Sequence, residues 1–360
     1  MKRKTISDIA KLANTSTATV SRVLNNSNYP VSESLRKKVL NSATELKYVP
    51  NLAGKQLKTN ESNEIGVIIP SISNPYYAKL ISGIEYVASR WNKYILLCNT
   101  NEDSDLEKKY LEYLCQKQVN GVIISSIGEN TDYLEYMKKI GIDIVAFEQD
   151  IDLECTKVNF NYYRGGYLAA KHLINNGHND IGFISAPLNR HSRNKVFSGF
   201  MECLKEYNIT PNDNFIKIGL DEKKITDTVF EYNNGRKIIA SLLDKKAENG
   251  LPSAIFCIND MTAIGVMQNL MENNIKVPDD ISVMGFDNID ICEMITPSLS
   301  TIDQKTFQMG ELAAQTLIHI IKEEESIPVS KLLEPYLVQR SSTKILKSAA
   351  RKSTNYQLEL

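Results

Sequence analysis

One short segment sets the chemistry open to this protein. In Ser16-Thr-Ala-Thr-Val-Ser-Arg-Val-Leu-Asn25, helical spacing gathers Val20, Val23 and Leu24 into an apolar stripe. Thr17, Ala18, Ser21 and Arg22 are left facing outward. Hydroxyls, a methyl and a guanidinium on one helical face suit recognition by hydrogen bonds and apolar contact. Nothing elsewhere offers catalysis. The chain has four histidines and no Ser/His/Asp or metal-ligand constellation, so neither an enzyme nor a cofactor is expected. Its six cysteines, Cys98, Cys115, Cys155, Cys203, Cys257 and Cys292, include no CxxC pair and read as buried thiols rather than disulfides or zinc ligands.

The elements around this face are also short. Ile6, Ile9, Ala10 and Ala13 recur at helical spacing, with Thr5 as cap and Asp8 at the capping-box position. Ser16 can cap the second helix. Two helices across so tight a turn form a helix-turn-helix, whose second helix is shaped to enter a major groove. Periodicity alone equally allows a helical hairpin that packs on something else. A third helix runs from a Ser32 cap through Leu35, Val39, Leu40, Ala43 and Leu46, and can close a three-helix core. Its Arg36, Lys37 and Lys38 can face phosphates.

Charge separates these readings. Residues 1–60 carry eleven Lys/Arg against three Asp/Glu, +8, whereas the rest carry 31 against 40, −9. A basic module on an acidic body points to a polyanion partner for the first part only. A merely solvated basic face is the alternative.

Between Tyr48 and Leu57 lie about two turns of potential helix, started by Asn51 and weakened by Gly54. A helix this short is marginal in isolation, and glycine costs it about 1 kcal/mol against alanine. It reads as a conditionally folded hinge or as an inert linker. From Glu64 the pattern becomes strand, turn, helix. Strands are expected at Ile65–Ile69, Tyr94–Cys98, Gly121–Ile124 and Ile144–Phe147, with helices at 105–117 and 131–139. A second series places strands at Ile181–Ser185, Phe215–Ile218, Ala254–Cys257 and Ile281–Phe286, among helices 164–176, 193–206, 234–243 and 261–273. Such alternation means parallel sheets covered by helices. Its length implies two α/β lobes, with a ligand between them at the carboxyl ends of the strands. No apolar run approaches the roughly 20 residues of a membrane span, and the polar N-terminus lacks a secretory h-region. A cytoplasmic protein is expected.

The motifs Ile6-Ser-Asp-Ile-Ala10, Ser16 to Asn25, Tyr48-Val-Pro-Asn51, Ser73-Asn-Pro-Tyr-Tyr77 and Gly177-His178 resemble those of the lactose/galactose repressor family. So do Asn259-Asp-Met-Thr-Ala-Ile-Gly265, Val277 to Asp287 and Thr296 to Gln304, in family order over about residues 5–343. The resemblance implies a homodimeric transcription factor, a repressor, with an all-α helix-turn-helix headpiece. It also implies a periplasmic-binding-protein-like α/β core of two parallel-sheet lobes. The implied boundaries are a headpiece at 1–47, a hinge helix and linker at 48–63, the effector-binding and dimerisation core at 64–344, and a disordered tail at 345–360. The tail lacks the leucine heptads of a tetramerising coiled coil, which favours a dimer on near-palindromic double-stranded operator DNA.

By resemblance, Thr17, Ala18 and Arg22 read bases, Arg22 by a bidentate pair with guanine. Thr5, Ser16, Thr19, Ser21 and Asn25 meet phosphates, Lys55 follows the minor groove, and Leu57 wedges open a central pyrimidine–purine step. Asn14 replaces a turn glycine, which asparagine can do because it tolerates left-handed backbone. The effector positions are Tyr76, Tyr77, Glu148, Ser192, Val196, Phe230, Asn259 and Asp287. Aromatic faces with carboxylates and amides suit a sugar-like or heterocyclic effector. Val196 stands where many relatives carry a ligand-gripping arginine, with Arg193 or Lys195 as candidate substitutes. Tyr76, Tyr77 and Asp287 also have purely structural readings, and His178 is expected to cap helix carbonyls. A family member governed by a protein corepressor is one alternative, although Gln315 replaces an arginine used for such docking. A sugar-binding transport protein is another.

Overall fold

The computed structural model describes residues 4–25, 27, 29–50, 62–127, 131–148, 151, 153–219, 229–322 and 330–346. Lys55, Leu57 and the hinge glycine Gly54 lie outside these residues, as do 220–228 and the tail from 347. The chain forms two compact units, Met1–Glu61 and Ser62–Leu360.

In the first unit, α1 (Ile6–Ala13) opens with a complete capping box. The Thr5 N–H donates to Asp8 Oδ2 at 2.8 Å and the Asp8 N–H to Thr5 Oγ1 at 3.3 Å. Asn14 ends the helix in left-handed backbone (φ 50°, ψ 55°), the geometry expected of the glycine it replaces. Ser16 caps α2 (Thr17–Leu24) by accepting from the Thr19 N–H at 3.1 Å. α3 (Glu33–Glu45) completes a core of Ile9, Ala10, Ala13, Val20, Val23 and Val39. Two expectations are corrected. Ser32 precedes α3 but makes no side-chain cap, its hydroxyl turning instead to that of Ser34 at 3.3 Å. Leu40 is 45% exposed: one residue past the buried Val39, it is rotated about 100° from the stripe of Leu35, Val39, Ala43 and Leu46.

The second unit has two lobes. In the first, β1 (Glu64–Ile69), β2 (Tyr94–Asn99), β3 (Gly121–Ile124), β4 (Asp143–Phe147), β5 (Thr156–Phe160) and β11 (Ser330–Leu333) form a parallel sheet in the order β11-β5-β4-β3-β1-β2. In the second, β6 (Ile181–Ser185), β7 (Ile216–Ile218), β8 (Ala254–Cys257) and β9 (Ser282–Met284) form another in the order β7-β6-β8-β9. β10 (Thr301–Asp303) and β12 (Tyr336–Val338) pair antiparallel. The sequence pattern did not disclose β5 or β10 to β12. It also missed the return of the chain to the first lobe through the helix Thr306–Ile321 and β11.

The chain therefore crosses between lobes three times, near residues 161, 304 and 334. These crossings are tied together. Asn161 Nδ2 donates to both Glu334 carboxylate oxygens at 3.1 and 3.2 Å, and the Tyr336 hydroxyl to Asp303 Oδ2 at 2.7 Å. Among the described residues no helix is long and apolar enough to cross a membrane, and no group of His, Cys, Asp or Glu could hold a metal ion.

Candidate functional site

The headpiece presents Thr17, Ala18 and Arg22 to solvent from α2, whose opposite side is its core. Several expected phosphate contacts already make local bonds. Thr5 and Ser16 serve as caps, the Ser16 and Thr19 hydroxyls lie 2.9 Å apart, and Asn25 Nδ2 donates to the Ser21 carbonyl at 2.8 Å. These bonds fix the side chains along the helix ends without burying them.

In the second unit a cleft of about 450 Å³, including its mouth, opens between the lobes at the carboxyl ends of β1, β4, β6, β8 and β9. From the first lobe, Asn74 caps the helix Pro75–Arg90 by accepting from the Tyr76 N–H at 3.0 Å. The buried rings of Tyr76 and Tyr77 meet edge to face, 5.0 Å apart. The Tyr77 hydroxyl donates to Glu148 Oε2 at 2.7 Å, which also accepts from Ser125 at 2.9 Å. From the second lobe, Arg190 Nη1 reaches the Tyr77 hydroxyl at 3.4 Å. A single chain of groups, Arg190–Tyr77–Glu148–Ser125, thus spans the cleft.

Burial dominates the electrostatics. It pushes the hydroxyl pKa values of Tyr76, Tyr77 and Tyr162 well up, so these rings offer neutral O–H groups. Burial opposes the charge of Arg190, but Tyr77, Glu148 and Glu102 more than offset it and raise its pKa. Arg193 is lowered by burial and by its neighbour Arg190, and donates to the Pro187 carbonyl at 3.1 Å. Asp287 is pushed well above the usual carboxylate range by burial, then by the nearby Asp260, Glu148 and Glu231; Gln304, donating to it at 2.5 Å, opposes the shift. Glu148 and Asp287 both sit on left-handed backbone, φ 65° and 129°. Strained backbone of this kind at two facing carboxyl groups marks a site held in shape by its surroundings.

Arg190 Nη2 and Gln304 Oε1 are buried without a hydrogen-bond partner. The cleft therefore offers an unmet donor and an unmet acceptor. At its rim, Lys79 of the first lobe donates to the Asn288 carbonyl at 3.1 Å and pairs with Asp290 of the second at 3.0 Å.

Tyr76, Tyr77, Glu148, Ser192, Arg193, Val196, Asn259 and Asp287 all line this cleft. Phe230 does not: it is buried at the start of the helix Phe230–Asp244, and the next residue, Glu231, lines the cleft instead. Lys195 is exposed on the helix His191–Glu206. The sequence reading missed Asn74, Tyr162, Arg190, Glu231, Ile258, Phe286 and Gln304. Arg190 had a signal, since it stands two residues before Ser192 at the N-terminus of that helix. His178 caps the helix as expected: after Gly177 (φ 88°), whose N–H donates to the Ile174 carbonyl at 2.8 Å, the His178 N–H donates to the Leu173 carbonyl at 3.1 Å. Its ring, in addition, lies 3.0 Å from Ser253 Oγ and 3.2 Å from the Lys344 carbonyl, pinning the C-terminal segment.

Comparison with known proteins agrees with both units. Residues 5–51 match the model described as bacterial regulatory proteins, lacI family, and residues 170–343 match a periplasmic binding protein-like domain. The HTH-type transcriptional repressor PurR of Aliivibrio salmonicida is 32% identical over 340 residues, 94% of this chain and 98% of its own. A LacI family transcriptional regulator from Enterococcus faecium with bound ribose is 32% identical, with a TM-score of 0.69 over 79% of this chain and all of that one. The lac repressor dimer bound to operator and an anti-inducer shares the fold at 24% identity, with a TM-score of 0.83 over 95% of this chain and all of that one.

Proposed function

Because the chain belongs to the lacI family of bacterial regulatory proteins, we propose that Thr17, Ala18 and Arg22 read its operator and that the interlobe cleft takes a sugar-like effector. The protein is a helix-turn-helix DNA-binding repressor whose operator affinity is controlled by a ligand. Thr5, Ser16, Thr19, Ser21 and Asn25 are assigned to phosphates, and Lys55 and Leu57 to the minor groove.

The observation that carries the effector assignment is the Arg190–Tyr77–Glu148 chain beside the paired rings of Tyr76 and Tyr77. A polyhydroxylated ring offers hydroxyls to carboxylates and amides, oxygens to a guanidinium, and apolar faces to aromatic rings. Ribose in the Enterococcus faecium relative supports that ligand class. The effector bridges groups from both lobes, so it favours one lobe angle over the other. Its differential affinity for the two angles then sets operator binding.

The lac repressor, which shares this fold, is bound to its operator as a dimer. We assign the dimer face to the free edge of the six-stranded sheet, where β2 exposes Tyr94 (64%) and Leu97 beside exposed Tyr86 and Trp91. An uncovered edge with aromatic side chains invites strand pairing unless a partner covers it.

Thermal unfolding with monosaccharides, sugar phosphates, nucleosides and purine bases tests the effector class. Stabilisation by a sugar or sugar phosphate is the expected result. Stabilisation by a purine base alone would overturn the sugar assignment, and stabilisation by none would favour a protein partner.

A further inference from the structure

Arg22 does not stand alone on the reading face. Its guanidinium carbon lies 3.8 Å from the centroid of the Tyr29 ring, a stacking separation. Tyr29 follows α2 in a loop, is 53% exposed, and lies outside the headpiece core. The loop is tied back to the helix. The Ser27 N–H donates to the Arg22 carbonyl at 3.0 Å and the Tyr29 N–H to Ser27 Oγ at 3.3 Å. Among the described residues no carboxylate forms an ion pair with Arg22. The ring is its partner.

We infer that Tyr29 is a positioning residue for base readout, holding the Arg22 guanidinium in the plane from which it reads a base edge. The inference rests on the assignment of Arg22 as a base reader. A stacked guanidinium loses no donor, because its five N–H bonds lie in its own plane and the ring covers only a face. A bidentate pair with guanine needs two of those donors aligned with O6 and N7. An exposed arginine without the ring loses much of its rotamer freedom when it docks. With the ring, that freedom is already reduced in the unbound headpiece.

The test uses the full-length chain and a duplex selected in vitro from a randomised pool. Affinities are measured at fixed salt, since phosphate contacts make them salt-dependent, on that duplex and on its single-base-pair variants. Arg22→Ala identifies the base pair that Arg22 reads. Tyr29→Leu is expected to lose about 2–5-fold of the preference at that same base pair and less elsewhere, and Tyr29→Phe to retain it. In the Arg22→Ala background, Tyr29→Leu should change nothing further. Tyr29→Gln serves as a second non-aromatic replacement, with unchanged thermal unfolding as the control for folding. Three results would overturn the inference: an intact preference in Tyr29→Leu, an even loss on every duplex, or a gain in affinity, which would mean that the ring holds Arg22 away from DNA. If Arg22→Ala alters no base preference, the base-reading assignment itself fails and the role of Tyr29 falls with it.

Discussion

Gly166 and Gly199 face one another where the helices Tyr162–Asn175 and His191–Glu206 touch. A Cβ on Gly166 would fall 2.0 Å from the Val196 carbonyl oxygen, and one on Gly199 would fall 1.9 Å from that of Tyr163. The same reciprocal arrangement recurs at Gly83 with Gly310 and at Gly235 with Gly265. Each contact is backbone against backbone, so a side chain cannot be accommodated by a change of rotamer. The first pair also sets the height of the helix that carries Arg190, Ser192, Arg193 and Val196 into the cleft.

Gly199→Ala should therefore separate the two helices and destabilise the core by about 1–3 kcal/mol or more, as overpacking does. Urea unfolding of the full-length protein measures this, and a ΔΔG within error of zero would contradict the close packing. An accompanying loss of effector affinity is expected because Arg190 and Val196 move with the helix.

Arg190→Gln removes the buried cation that links the lobes through Tyr77 but leaves the Tyr77–Glu148 bond in place. Effector affinity should fall at least about tenfold, the scale of a lost hydrogen bond to a charged group. Calorimetric titration with whichever sugar stabilises the wild type reads this directly. Equal affinity in the two proteins would remove Arg190 from the effector site.

The buried ring of His172 lies 3.0 Å from Thr343 Oγ1, and burial, assisted by neighbouring His178, lowers its pKa to about 4. Between about pH 6.5 and 4 the unfolded chain holds a proton on this side chain that the folded one does not. The unfolded state binds more protons there, so stability falls as the pH is lowered through that window, by about 3 kcal/mol in all from this group. His172→Gln should flatten the dependence when urea midpoints are compared at pH 7 and pH 4.5. An unchanged slope would show that the ring is not held neutral.

Removing residues 1–61 should abolish operator binding and leave effector-induced thermal stabilisation intact, since each unit has its own buried core. Loss of that stabilisation would mean that the units do not fold separately.

Tyr94→Lys should weaken self-association, because a charge on the free edge of β2 opposes the burial of a partner. Sedimentation across a concentration series measures this. A dimer as stable as the wild type would move the interface elsewhere.

The headpiece was legible because its determinants are local. Thr5 with Asp8 and Ser16 with Thr19 act within four residues, so spacing alone predicts these caps, while the left-handed Asn14 was expected from the turn glycine it replaces in the family motif. The strands of β1, β3, β6 and β8 were legible for a related reason: a strand buried on both faces must be a continuous apolar run. Short strands with interrupted patterns, such as Thr156–Phe160 and Thr301–Asp303, gave no such run.

The sequence by itself determined most of the buried faces, the caps of the first two helices and that a basic module precedes an acidic α/β core, and its family motifs pointed to about half of the side chains that line the cleft. It could not decide which of the polar groups at strand and helix ends would meet. Arg190 reaches Tyr77, 113 positions away, across the cleft between the lobes, and Gln304 reaches Asp287 because the segment through β10 returns alongside the end of β9. Even Arg22 and Tyr29, seven positions apart, meet through a loop and not through a helical repeat. Periodicity encodes which side of an element is apolar. Convergence of polar side chains depends on how the elements are then joined and packed, and that is a property of the tertiary structure alone.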